Sequence, residues 1–127
     1  KISDIITFHV TYNKYTHHLS NETNLNQIKK GEIVINTSRG AVIDSNALLK
    51  GLKSKRIAWA GLDVIEGEDK IIKNTKVTVA HEIFKMDNVI FTPHNAFNSR
   101  ESLLRILDAT IESINGFLKK ELVNEVN

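Results

Sequence analysis

Cysteine is absent from this sequence, and its absence removes disulfide frameworks, thiolate metal sites and cysteine nucleophiles together. Proline occurs once, at position 93, so little in the chain forbids a helix or strand interior. A charge excess is missing too. Lys+Arg number 17 against 15 Asp+Glu, and no basic run is longer than Lys29-Lys30 or Lys119-Lys120, so nucleic acid is not an expected partner. No apolar run approaches the roughly 20 residues that cross a bilayer, and no basic segment followed by an apolar stretch opens the chain. A membrane partner is therefore not expected either, and the cytoplasm is the expected location. The glycines at 31, 40, 51, 61, 67 and 116 cannot make a G-x-G-x-x-G dinucleotide fingerprint, and neither a G-x-S-x-G elbow nor an S-x-x-K pair occurs.

What remains is 127 residues, 41% of them apolar, enough for one compact domain or part of one. Short β-branched runs alternate with amphipathic stretches, the mark of βαβ units and a parallel sheet. Strands are expected at Asp4–Val10, Ile33–Thr37, Ile57–Ile65 and Asn88–Thr92, the last stopped by Pro93, which offers no backbone donor. Asn24–Lys30 reads as a short helix at best. Asp44 can cap a helix whose Ala47, Leu48, Leu49 and Leu52 share one face and which ends near Ser54. Glu66–Lys76 reads as a charged loop. Asn98 and Glu101 have the spacing of a capping box ahead of a long helix striped by Leu103, Leu104, Leu107, Ile111, Ile114 and Leu118. The chain runs from Lys1 straight into strand-like sequence, which reads as a start inside a larger protein.

In an open parallel sheet, ligands bind outside the carboxyl ends of the strands. Four segments fall there: His9-Val10-Thr11, Thr37-Ser38-Arg39-Gly40, Asp63 to Glu68, and Thr92-Pro93-His94. An arginine there can hold a carboxylate in a bidentate grip. A histidine can exchange a proton with an alcohol near neutral pH, and a nearby carboxylate stabilises the imidazolium. Plainer readings stand beside these: Arg39 as a surface arginine, His94 as a turn histidine, and Glu66, Glu68 and Asp69 as a solvated acidic loop. Asp63, beside the small residues of its strand, is costly to bury unless paired. His17 and His18 suggest a metal only weakly, since neighbours on an extended strand point apart and no third ligand stands at a useful spacing; no metal site is expected.

Several motifs together resemble the D-isomer-specific 2-hydroxyacid dehydrogenase family along essentially the whole chain. They are Asp4-Ile-Ile-Thr-Phe-His-Val10 with Thr16-His-His-Leu19; Ile35-Asn-Thr-Ser-Arg-Gly40 with Val42-Ile-Asp44; Ala60-Gly-Leu-Asp-Val-Ile-Glu-Gly-Glu68; and Phe91-Thr-Pro-His94. The resemblance implies a Rossmann-like doubly wound α/β sheet. Residues 1–97 would be the C-terminal half of an NAD-binding domain, and 98–127 a long helix and tail returning to a substrate domain. It implies Arg39 as binder of the substrate carboxylate and carbonyl, His94 as proton donor in reduction, Glu68 as its support and Glu66 as a non-catalytic neighbour. NAD contacts are implied at Val10, Thr11, Thr16, Thr37, Ser38, Arg39 and Asp63. The glutamate partner argues against the formate dehydrogenase branch. A small 2-keto or 2-hydroxy acid is the implied partner, and the family implies a homodimeric parent.

Two departures from the pattern stand out. Thr11 replaces the proline usual after His-Val, and the missing pyrophosphate turn would lie upstream of Lys1. The sequence therefore reads as a fragment with catalytic residues and little activity of its own. The rival readings are a non-catalytic NADH-sensing, corepressor-like protein and an inactive truncated remnant.

Overall fold

The computed structural model describes residues 2–68, 79–121, 123 and 124. They fall into two compact units, residues 1–94 and 95–127. Residues 69–76 of the expected acidic loop, Asp69 among them, lie outside the described residues, as does most of the tail after 121.

Among the described residues the first unit is an α/β layer on a four-stranded, all-parallel sheet. Its strands β1 (Ile5–Phe8), β2 (Glu32–Asn36), β3 (Ile57–Leu62) and β4 (Val89–Phe91) lie side by side in chain order. β1, β3 and β4 are two or three residues shorter than expected, because pairing stops where the chain turns away to make the loops, whereas β2 keeps its expected length and starts one residue earlier. The registers pair Phe8 with Asn36, Asn36 with Leu62 and Leu62 with Phe91, so the four strands finish level. Backbone bonds from Asp63 N to Asn36 O and from Thr92 N to Leu62 O, both 2.9 Å, carry the ladder one residue into the loops.

Helix α2 (Ser45–Lys53) forms where expected: Asp44 caps it by accepting from the Asn46 and Ala47 amides, and Ser54 ends it. Its buried Ala47, Leu48, Leu49 and Leu52 meet Val34, Ile57, Ala60 and Leu62 of the sheet. Leu48 and Leu52 are fully buried, each contributing roughly 1.5–3 kcal/mol by area removed from water. The short helix before β2 differs from its expectation. Helix α1 is Glu22–Leu25, starting two residues earlier and ending five earlier than Asn24–Lys30 would have it, because Asn21 accepts from the Thr23 and Asn24 amides while the Asn24 side chain accepts from the Asn21 amide. A helix the sequence reading did not place, α3 (Val79–Phe84), buries Ala80 and Ile83 in the same core.

The second unit is dominated by α4 (Arg100–Lys119). Its cap is Ser99, which accepts from the Ser102 amide, not the expected Asn98 with Glu101. The shift follows from Asn98 bonding its own amide back to Asn95 O, which leaves the extended backbone of a cap to its neighbour. The apolar stripe from Leu103 to Leu118 is exposed within this unit. Gly116 is the one buried residue of α4, packed where a Cβ would stand 2.6 Å from Val123 Cγ2.

Candidate active site

A sheet whose parallel strands finish level brings all four following loops to one edge. The turn after β2 is organised by Asn36, fully buried at the strand's last position. Its Oδ1 accepts from the Ser38 amide at 3.1 Å and the Ser38 hydroxyl at 2.9 Å, while its Nδ2 donates to Arg39 O at 3.0 Å. The turn is thereby fixed before any ligand is considered. Ser38 is buried and Thr37 and Arg39 are exposed, with the Arg39 guanidinium anchored through Nη1 to Ser38 O at 2.7 Å. Gly40 follows, and here the residue type is forced by space: a Cβ would lie 2.3 Å from the Ile65 backbone carbon and 2.5 Å from the Glu66 amide nitrogen. The arginine turn is pressed directly onto the backbone that leads to Glu68.

Glu68 sits in the turn after β3, its Oε2 accepting from the Ile65 amide at 3.4 Å. Its Oε1 stands 3.4 Å from His94 Nδ1, a contact longer than an ordinary charge-assisted hydrogen bond. Half of the His94 side chain and about a third of Glu68 remain accessible (50% and 36%). His94 has φ of 52°, in the left-handed region. Its amide donates to both Asp63 O and Thr92 O at 2.9 Å, and these bonds hold a conformation that costs a non-glycine residue about 1–3 kcal/mol. Asp63 is buried, and its carboxylate accepts the Thr92 hydroxyl, the pairing that its burial was expected to require.

The loop after β1 completes the edge. His9, Val10, Thr11 and Tyr12 face Thr37, Ser38 and Arg39 across a cleft of about 440 Å³. Thr16 does not line this cleft. Its hydroxyl donates to Thr11 O at 2.8 Å and accepts from the Asn13 amide at 2.8 Å, so it shapes the wall from behind.

The structure thus brings Arg39 beside Val10, Thr11, Thr37 and Ser38, and Glu68 beside His94. Sequence reasoning missed three features. Asn36 was read only as part of a motif, and Tyr12 was not singled out. The third is a contact between Glu66 and His18, whose Nε2 lies 2.8 Å from Glu66 Oε1. His17 and His18 do not point apart as expected of a strand. They lie in a turn where His18 has φ of 48°, and their rings stack with centroids 3.9 Å apart. Among the described residues no group of three His, Asp or Glu could hold a metal, and no helix is long and apolar enough to cross a membrane.

Comparison with known proteins gives this arrangement a context. The chain is similar to a glyoxylate reductase of Thermococcus litoralis, 39% identical over 122 residues that cover 96% of this chain and 34% of that protein. It is similar to a D-lactate dehydrogenase of Escherichia coli, 35% identical over 125 residues, 94% of this chain and 38% of that one. Among solved structures it superposes on the D-lactate dehydrogenase of Aquifex aeolicus complexed with NAD and lactic acid. There the TM-score is 0.80 and the identity 38%, covering 94% of this chain and 38% of that chain. The chain therefore spans little more than a third of the length of these relatives. Residues 1–96 match the family model described as the D-isomer specific 2-hydroxyacid dehydrogenase, NAD binding domain, and the chain belongs to that family.

Proposed function

We propose that the protein carrying this chain reduces a 2-keto acid to a D-2-hydroxy acid with NADH. The observation that carries the reading is the His94–Glu68 pair at 3.4 Å, standing at the same sheet edge as an exposed arginine. Family membership and the NAD and lactic acid named for the Aquifex aeolicus relative support it. On this reading residues 1–97 are the C-terminal half of an NAD-binding domain, and residues 98–127 lead back to a substrate domain.

The cleft fits the nicotinamide end of a dinucleotide. It lies outside the carboxyl ends of parallel strands, its volume is of the order such sites have, and Thr11, Tyr12, Thr37 and Ser38 give it hydroxyls. Val10, Thr11, Thr37, Ser38 and Arg39 would line the bound cofactor, with Asp63 near its nicotinamide end and Thr16 holding the wall. When bound, NADH supplies the hydride.

The rest is the work of side chains. Arg39 grips the substrate carboxylate with its planar fork and turns the carbonyl toward the site. Glu68 faces Nδ1 of His94, which leaves Nε2 to deliver a proton to the carbonyl oxygen as it becomes a hydroxyl. The carboxylate also compensates the positive charge of the imidazolium before transfer. We further place the protein in the cytoplasm as a homodimer, acting on a small molecule with neither nucleic acid nor membrane.

The test is NADH oxidation by the full-length protein with pyruvate and larger 2-keto acids. His94→Ala is expected to lower kcat by ~10²- to 10⁴-fold. Arg39→Ala should act chiefly on KM, and Glu68→Gln should fall between wild type and His94→Ala. Wild-type protein that binds NADH and reduces nothing on the panel replaces this reading with a sensor of NADH.

A further inference from the structure

Glu66 and Glu68 occupy one tight turn, separated by Gly67 with φ of 78°. Glu68 meets His94, whereas Glu66 meets His18 at 2.8 Å, and both side chains of that contact are about two-thirds buried (32% exposed each). His18 is itself held from several sides. Its amide donates to Ala41 O at 2.8 Å, and its ring stacks on His17 at 3.9 Å. His17 Nδ1 lies 3.2 Å from the hydroxyl of Tyr12, a residue of the cleft wall. Ala41 belongs to the segment that begins at Gly40, where the arginine turn presses on Ile65 and Glu66. Three loops therefore meet at one point: the wall at 10–20, the arginine turn at 37–43 and the acid turn at 63–68.

We propose that His18 and Glu66 form a latch that positions the Glu68 turn against the Arg39 turn, making both of them positioning residues for the reaction. The proposal rests on the function argued above. Without the latch the acid turn retains the backbone contact at Gly40 and the Thr92 hydrogen bond to Asp63 at its start, but Glu66 loses its only long-range side-chain tie among the described residues. Glu68 then samples places from which it supports His94 less well. The shorter contact of the two is at Glu66, 2.8 Å against 3.4 Å at Glu68, which is the order expected if one acid fixes the turn and the other works from it.

The experiment is a double-mutant cycle in the full-length protein, with Glu66→Ala, His18→Ala and both together, and Glu66→Gln as the conservative variant. Each single alanine variant is expected to lower kcat by roughly ten- to a hundredfold, the scale of a sub-ångström to 1 Å misplacement near the chemistry. In Glu66→Ala the NADH dissociation constant should change little. The double variant is expected to be no worse than either single one, because the two residues act as a unit. Glu66→Gln, which keeps an oxygen for the His18 ring N–H to bond, should recover much of the rate. Amide exchange supplies a readout independent of turnover: Gly67 and Glu68 should exchange faster in Glu66→Ala while the sheet amides are unchanged. Wild-type kcat in the single variants, or additive losses, or unchanged exchange at Gly67 and Glu68 each overturn the latch. If wild type itself reduces no 2-keto acid, the catalytic reading fails, and the positioning role falls with it. In that case, faster exchange in Glu66→Ala would still establish the structural tie separately.

Discussion

Strand β2 begins with Glu32 and ends with Asn36, two polar side chains buried on the same face of the same strand, yet the molecule treats them differently. Every side-chain group of Asn36 is engaged in the turn that carries Arg39. Glu32, at the opposite edge, has an Oε2 with no hydrogen-bond partner among the described residues. The glycines near the two edges divide in the same way. Gly40, at the carboxyl edge, is demanded by a backbone that leaves no room, whereas Gly31, at the amino edge, has φ of 90° and open space around it. The acidic side chains near the two edges differ as well. Histidines meet glutamates at the carboxyl edge, and an exposed Lys29 meets an exposed Asp4 at the other. The lesson is that order is concentrated at the edge where chemistry is proposed, while the other edge holds only what the chain needs to turn.

Three measurements on the full-length protein sharpen or break that contrast. The largest difference is expected between the glycines. Gly40→Ala should cost ~3 kcal/mol or more, because backbone rather than a flexible side chain must yield. Gly31→Ala should cost only about 1–2 kcal/mol, the ordinary penalty of a left-handed residue. Thermal or urea midpoints that fall equally for the two break the contrast. Next comes Asn36→Ala, expected to cost roughly 2 kcal/mol by leaving the Ser38 amide, the Ser38 hydroxyl and Arg39 O without their partner. It should also raise KM for the keto acid. Glu32→Gln should stay within about 1 kcal/mol of wild type in either direction, since it keeps the shape of a group whose bonding was incomplete.

The smallest effect belongs to Asp4. The hydrogen bond from Lys29, and then its charge, hold the Asp4 carboxyl below its ordinary 3.8. Any stability from the pair is therefore present above that value and lost as the pH falls through the lower folded value. Asp4→Asn should lower the midpoint at neutral pH by the least of these variants, because both partners are in water. Its difference from wild type should vanish in strong acid. A difference that grows on acidification breaks the assignment.

Much of this was legible in the sequence where the signal was local. The Asp44 cap and the four leucine and alanine positions of α2 follow from spacing alone, and the strand ends that present Arg39, Glu68 and His94 follow from β-branched runs closed by turn residues. Positions that depend on a long-range contact were not legible. Nothing in Thr16-His-His-Leu19 announces that His18 turns left-handed, which is what lets adjacent rings stack and sends Nε2 to a glutamate 48 residues away. Helix α3 was hidden because its anchors, Ala80 and Ile83, are too few to set a period. Ser99 and Asn98 are both good caps, and the choice between them was made by a bond to Asn95 that only the folded turn supplies.

The strand order β1-β2-β3-β4 also has a consequence for how the chain is made. Among the described residues each strand pairs only with the one before and the one after it in the chain, every time through a crossover. A ribosome releases about 5–20 residues each second, so every new strand emerges to find its neighbour's edge already laid down. No early strand has to wait for a distant partner, and this part of the sheet can grow in the direction of synthesis.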